Sequence, residues 1–155
     1  MTDDDAPIVL SDTVAEFRGP TWTLSNFAEH PMEVDGQRYP TVEHYFQAMK
    51  AVSPEDHARI RDAATPAEAK ELGRAVTMVP DWRDRRVAVM RRALAAKFTP
   101  DSEAGRFLLA TGEATLIEGN DWGDQLWGVS DGRGRNLLGV LLMERRGVLR
   151  HQLGA

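Results

Sequence analysis

Glu43, Gln47 and Lys50 fall at i, i+4 and i+7, so a helix drawn through them carries a carboxylate, an amide and an amine on one face. At the helical rise per residue the stripe is roughly 10 Å long, short enough for both ends to reach one ligand. A carboxylate can shuttle a proton, and an amine in its neutral form can attack an electrophilic carbon. Tyr45 and Phe46 lie between them and make this a poor surface helix, so the polar face reads as the wall of a cleft. The plainer alternative is a solvated polar stripe. His44, next to Glu43, is a candidate proton handler or hydrogen-bond partner; a lone histidine is more often structural.

A second concentration of chemistry runs from Leu116 to Gly128, where Trp122, Trp127, Asp121 and Asp124 share a glycine-containing loop. A loop tryptophan either stacks on a planar ring or plugs a core edge. Asp124 suits a turn as well as it suits acid or base work. The stretch from Gly132 to Gly139 resembles a turn whose backbone N–H groups approach an anion, but it is neither a Walker loop nor a dinucleotide fingerprint. The four histidines are scattered without metal-ligand spacing, so neither a metal nor a cofactor is expected. No serine has the Gly-x-Ser-x-Gly setting. The absence of cysteine excludes disulfides, thiolate metal sites and a cysteine nucleophile, and fits a cytoplasmic protein.

Positioning these groups falls to short elements with local signals. Met32–Val34 and Gln37–Tyr39 flank Asp35-Gly36, a hairpin signature within a stretch, 14–39, that otherwise reads as extended pieces. Thr41 caps a helix through Lys50, and Ser53-Pro54 and Thr65-Pro66 start two more, the latter closed by Gly73 as a C-cap. Val87, Met90, Leu94 and Phe98 recur at helical spacing after Asp81. Thr99-Pro100 opens the next helix, which ends near Gly112. A strand over 115–117, a loop over 119–134 and a helix over 137–149 complete the chain. The sum is a helix-rich α+β single domain with a small antiparallel sheet, residues 13–150, behind an acidic tail of residues 1–12. The chain of 155 residues is long enough for one core, and its net charge of −5 argues against bulk attraction to nucleic acid. No signal peptide, membrane span or obligate protein partner is evident.

Taken in order, Leu24-Ser25-Asn26-Phe27, Tyr39-Pro40-Thr41-Val42-Glu43-His44-Tyr45-Phe46-Gln47-Ala48-Met49-Lys50, Ala69-Lys70-Glu71-Leu72-Gly73-Arg74, Asp81-Trp82 and Ala95-Ala96-Lys97-Phe98 resemble the NADAR (NAD- and ADP-ribose-associated) family, which includes YbiA-like N-glycosidases. The resemblance continues through Asn120-x-Trp122-Gly123-Asp124-x-x-Trp127-Gly128 and Gly134-x-Asn136-x-x-Gly139, nearly the whole chain. It implies hydrolysis of a C1–N bond between ribose and a base-type amino group. The substrate would be ADP-ribosylated guanine, as a nucleotide or in nucleic acid, or a ribosylamino-pyrimidine intermediate of riboflavin biosynthesis. Under it Glu43 and Asp124 form the catalytic carboxylate pair, with neither fixed as the acid, and Lys50 is a Schiff-base nucleophile. The substrate-binding candidates are Arg18, Asn26, His44, Gln47, Gly73, Arg74, Trp82, Trp127, Gly128 and Asn136. A module that binds ADP-ribose or NAD without turning it over is the competing class; paired acids beside an anion argue against it. An RNA-associated scaffold is a weaker alternative.

Overall fold

The computed structural model describes residues 12–154. The expected tail up to residue 11 lies outside the described residues, whereas the Asp12 carbonyl accepts a hydrogen bond from the Thr115 N–H at 2.9 Å. The chain is α+β, with six α-helices, one 3₁₀ helix and three two-stranded pairings among the described residues, and it gathers into two compact units. Ser25–Lys97 forms one unit; the described segments before and after it form the other.

In the unit from Ser25 to Lys97, strands β1 (Met32–Val34) and β2 (Gln37–Tyr39) pair antiparallel in the register Met32↔Tyr39 and Val34↔Gln37. Asp35 and Gly36 turn the hairpin with φ of 54° and 77°, the doubly positive geometry that matches strand twist. Helix α1 (Val42–Ala48) starts where Thr41 accepts the His44 N–H, and every residue of it is buried. Ser53 and Thr65 cap α2 (Pro54–Arg61) and α3 (Pro66–Ala75) in the same manner, each followed by a proline whose missing N–H costs the first turn nothing. Helix α4 (Trp82–Lys97) turns Trp82, Val89, Met90, Ala93, Leu94 and Lys97 inward. Val87, expected on that stripe, is only half-buried, and Val89 takes the inward place.

Lys97 is 3% exposed, and its Nζ donates to the Ser25 carbonyl at 2.8 Å. Burial pushes its pKa down to about 7. An unfolded lysine keeps its proton up to about pH 10.4, so above about pH 7 the folded chain binds fewer protons than the unfolded one. Stability therefore rises between about pH 7 and 10, by up to about 1.4 kcal/mol per pH unit, and this contribution is flat below that window. Denaturant titrations across pH should show the rise in the wild type and its loss in Lys97→Met. An equal slope in both would contradict the assignment.

The other unit holds two parallel pairings, beyond the antiparallel hairpin of the first unit. Thr13–Val14 (β3) pairs with Thr115–Leu116 (β4), and Gly119–Asn120 (β5) pairs with Val129–Ser130 (β6) inside the segment expected to be loop. Gly19–Leu24, expected to be extended, is a 3₁₀ helix tied by the Thr21 hydroxyl, which donates to the Glu16 and Arg18 carbonyls. Helix α5 (Glu103–Ala110) starts three residues later than expected: Ser102, not Thr99, is the cap and accepts the Gly105 N–H at 2.9 Å. The Thr99 carbonyl lies where a Cβ on Gly105 would be, at 1.8 Å, so only glycine admits this turn. Helix α6 (Leu137–Gln152) buries Leu138, Leu141, Leu142 and Leu149, and its Arg146 donates to the Thr111 hydroxyl at 2.8 Å. Among the described residues no helix is long and apolar enough to cross a membrane.

Candidate functional site

Glu43 sits in the first turn of α1, where unpaired helix N–H groups favour a carboxylate, and is 7% exposed. Its backbone N–H donates to the Asn26 carbonyl at 3.1 Å. One turn on, the Gln47 amide donates from Nε2 to Glu43 Oε1 at 2.7 Å, so the i, i+4 relation read from sequence is a made hydrogen bond. That bond fixes the carboxylate's direction. It also fixes the amide's orientation, since a carboxylate oxygen can only accept.

Lys50 follows the end of α1, with its Nζ 5.7 Å from the centroid of the Phe46 ring. Phe46 in turn meets Trp82 edge-on, with centroids 5.0 Å apart. Burial lowers the pKa of Lys50; the Glu43 carboxylate opposes the shift, while Arg74 and Lys70 on α3 add to it. The carboxylate and the amine therefore interact, and the neutral amine is more accessible than on an ordinary surface lysine. Backbone bonds fix the stem of this residue: the Lys50 carbonyl accepts the Val79 N–H at 2.8 Å, and the Val52 N–H donates to the Thr77 carbonyl at 3.1 Å.

Gly73 does not close α3, which runs on to Ala75. It is buried, and a Cβ there would lie 2.0 Å from Gln47 Oε1. With Ala69 one turn before it, Gly73 forms a flat strip against which the amide packs. The glycine is needed for a close approach and not for left-handed backbone, which is why the C-cap expectation fails. Gly73→Ala must displace the buried Gln47 amide and break its bond to Glu43. We expect a stability loss of about 1–3 kcal/mol together with a kcat drop of roughly tenfold. Denaturant titration and rate assays check this; a folded variant with unchanged kcat would show that the Gln47–Glu43 bond does not matter for turnover.

The remaining candidates in this unit divide by their contacts. Asn26 donates weakly from Nδ2 to Met90 Sδ at 3.8 Å, and its buried Oδ1 has no hydrogen-bond partner. Gln47 Oε1 is likewise buried without one. Arg74 is exposed, one turn from the half-buried Lys70, so α3 presents two cations toward the Lys50 side. His44 is committed internally: the Thr41 hydroxyl lies 2.8 Å from Nδ1 and the Ala63 carbonyl 3.0 Å from Nε2. The carbonyl can only accept, which assigns the proton to Nε2 and leaves neither ring nitrogen for a ligand. Lys70 and Phe46 are not among the binding candidates read from sequence, where Phe46 serves only to mark the helix as buried. The i, i+4 spacing of Lys70 and Arg74 was the available signal for the first.

In the other unit, Asp124, Trp127, Gly128 and Asn136 build one loop. Asp124 Oδ1 accepts the Leu126 and Trp127 N–H groups at 3.1 and 2.9 Å. Asn120 holds the Asp124 backbone from both sides, accepting its N–H at 3.0 Å and donating to its carbonyl at 2.9 Å. Of the two uses open to Asp124, the one these contacts display is turn formation. A Cβ on Gly128 would meet the Glu118 carbonyl at 2.1 Å. Asn136, left-handed at φ 52°, donates to the Leu116 carbonyl and accepts the Glu118 N–H, both at 2.9 Å, so its amide is used at both ends as a clamp. Arg18 is exposed, 4.0 Å from Asp121 and 5.9 Å from the Trp122 ring centroid.

Residues 15–150 match the NADAR domain. N-glycosidase YbiA of Escherichia coli (strain K12) is 40% identical over 144 residues, covering 89% of each chain. The riboflavin biosynthesis protein PYRR, chloroplastic, of Zea mays is 34% identical over 149 residues, covering 81% of this chain but 24% of that protein. The solution structure of E. coli YbiA superposes with a TM-score of 0.80 at 38% identity, covering 97% of this chain and 90% of that one.

Proposed function

The chain belongs to the NADAR domain family, and from that premise we propose that it is an N-glycosidase that removes ADP-ribose from ADP-ribosylated guanine, in nucleotides or nucleic acid. Relatives bearing the name N-glycosidase support the reaction class. The observation that carries the proposal is the pairing on and just after α1 of a clamped, buried carboxylate, Glu43, with an amine, Lys50, whose proton is weakened by burial.

In this scheme the glycosidic nitrogen expels the ring oxygen, the proton that nitrogen gives up ends on the ring oxygen, and C1 becomes the carbon of an open-chain imine. Neutral Lys50 Nζ adds to C1. Glu43 carries the proton from Nζ to the base nitrogen, the C1–N bond breaks, and the base leaves as an amine. Water then adds to the lysine imine with Glu43 as proton acceptor, C1–Nζ breaks, and the sugar leaves as an aldehyde that recloses. The sum is one water added across one C1–N bond, with no metal or cofactor. Trp82 and Phe46 give a base an apolar wall, and Asn26 and Gln47 are the ribose contacts. Asp124 is assigned to shaping the loop that presents Trp127. Residues 13–150 form the catalytic domain in this proposal, and a cytoplasmic location suits the cysteine-free chain.

With Lys50 neutral for attack, Lys70 and Arg74, whose charges act on it from α3, supply two cations for the diphosphate of ADP-ribose. A second reading, hydrolysis of a ribosylamino-pyrimidine phosphate, is favoured by the relatives named for riboflavin biosynthesis. Incubation of the protein with each substrate, followed by mass spectrometry, tests both. Release of ADP-ribose with unmodified guanine supports the first, and release of a ribose phosphate supports the second. Two intact substrates would refute the N-glycosidase assignment.

A further inference from the structure

Lys97 closes α4, is buried, and takes no part in the scheme above, although α4 faces outward with many charged side chains that reach water at no such cost. A lysine ammonium placed inside a protein is expensive unless its hydrogen bonds do something. The Lys97 bond goes to a main-chain carbonyl, that of Ser25, at 2.8 Å. Ser25 begins a tight turn: its carbonyl also accepts the Ala28 N–H at 3.1 Å, and its hydroxyl accepts the Phe27 N–H at 3.1 Å.

The next residue in that turn is Asn26, which meets Glu43 through its backbone. Its carbonyl accepts the Glu43 N–H at 3.1 Å, closing one of the free donors in the first turn of α1. Its side chain is held from α4 as well, by Met90 at 3.8 Å. So α4 grips the turn at two places, Met90 and Lys97, and the turn grips the start of α1 where the carboxylate sits. Removing Lys97 leaves the Ser25 carbonyl held by the Ala28 N–H alone and loosens the peptide plane leading into Asn26. A carboxylate that must deliver protons at hydrogen-bond distance is sensitive to displacements well under 1 Å.

We propose that Lys97 is a positioning residue for Glu43, acting through the Ser25–Asn26 turn that caps α1. This rests on the N-glycosidase reading for its kinetic consequence but not for the structural link itself. The substrate contacts assigned to Lys50, Arg74, Trp82 and Gln47 lie off the turn and only the ribose contact of Asn26 lies in it, so the loss falls mainly on proton transfer and to a smaller extent on binding.

The test uses the full-length protein with Lys97→Met, close in volume and lacking the donor, and Lys97→Gln, which keeps an N–H donor on a shorter stem. Hydrogen exchange at the Glu43 amide, followed by NMR, reads the link directly. We expect at least a tenfold acceleration in Lys97→Met, a smaller one in Lys97→Gln, and unchanged exchange at Ile60 in the core. Steady-state assays on the substrate the wild type turns over should show kcat lower by tenfold or more in Lys97→Met, a smaller rise in KM through the Asn26 ribose contact, and partial recovery of kcat in Lys97→Gln. If Lys97→Met does not fold, Lys97→Gln against the wild type carries both readouts. Unchanged Glu43 exchange, or a loss confined to KM, would overturn the proposal. A wild type that turns over neither substrate refutes the N-glycosidase reading, and the exchange result alone then decides whether Lys97 holds Glu43.

Discussion

Glu43→Gln is expected to lower kcat by about 10²–10⁴-fold, the range that a positioned proton-transfer group commonly supplies, while leaving the fold intact. The substitution keeps the side-chain volume and can still hydrogen bond to Gln47, whose amide can rotate to present either end. Its electrostatic side effect runs the other way. Glu43 raises the pKa of Lys50, so removing its charge leaves more of the amine neutral and ready to attack. A nucleophile made more available in an enzyme made slower would isolate proton transfer as the function lost. Circular dichroism and steady-state rates on one preparation check it; kcat within threefold of the wild type would remove Glu43 from the chemistry.

Lys50→Met should cost at least about 10³-fold in kcat, because no other group in the scheme forms the bond to C1. The apolar replacement suits a position already against the Phe46 ring, so stability should not fall. The wild-type rate should rise with pH as Lys50 sheds its proton, with a midpoint below the ordinary lysine range. Arg74→Ala removes a cation that disfavours the ammonium, so it should raise the Lys50 pKa and move the rising limb to higher pH. A pH–rate profile of kcat in the two proteins reads this shift separately from any loss of phosphate binding, which falls on KM. Identical limbs would mean that Lys50 is not the group titrating.

Local signals carried most of the fold. Thr41, Ser53 and Thr65 announce α1, α2 and α3 because a cap is a bond to a residue three places on, and Asp35-Gly36 fixes its hairpin by backbone dihedrals alone. Where two local signals compete, the deciding contact is further away. Thr99-Pro100 and Ser102 are both acceptable starts, and Ser102 wins because Gly105 lets the Thr99 carbonyl close in. Parallel two-residue pairs such as β3 with β4 join residues about a hundred positions apart, and no periodicity reports that.

The site divides in the same way. The face of Glu43, Gln47 and Lys50 was legible because it lies on and just after one helix, and its central contact is the i, i+4 bond expected there. Gly73 and Asn136 are partly visible in sequence as residues of special kinds, but their uses are tertiary: a slot for the Gln47 amide and a clamp on two backbone groups. His44 beside Glu43 in sequence points elsewhere in space, as adjacent helix residues do. Lys97 reads as an ordinary last-turn cation, and only burial distinguishes it.

The most direct test of the chemistry is borohydride trapping. Reducing the wild-type protein during turnover of ADP-ribosylated guanosine, then mapping peptides by mass spectrometry, should find the sugar fragment on Lys50 and on no other lysine, with no adduct in Lys50→Met. A protein that turns over substrate yet yields no adduct, or carries it on Lys70 or Lys97, would contradict attack by Lys50.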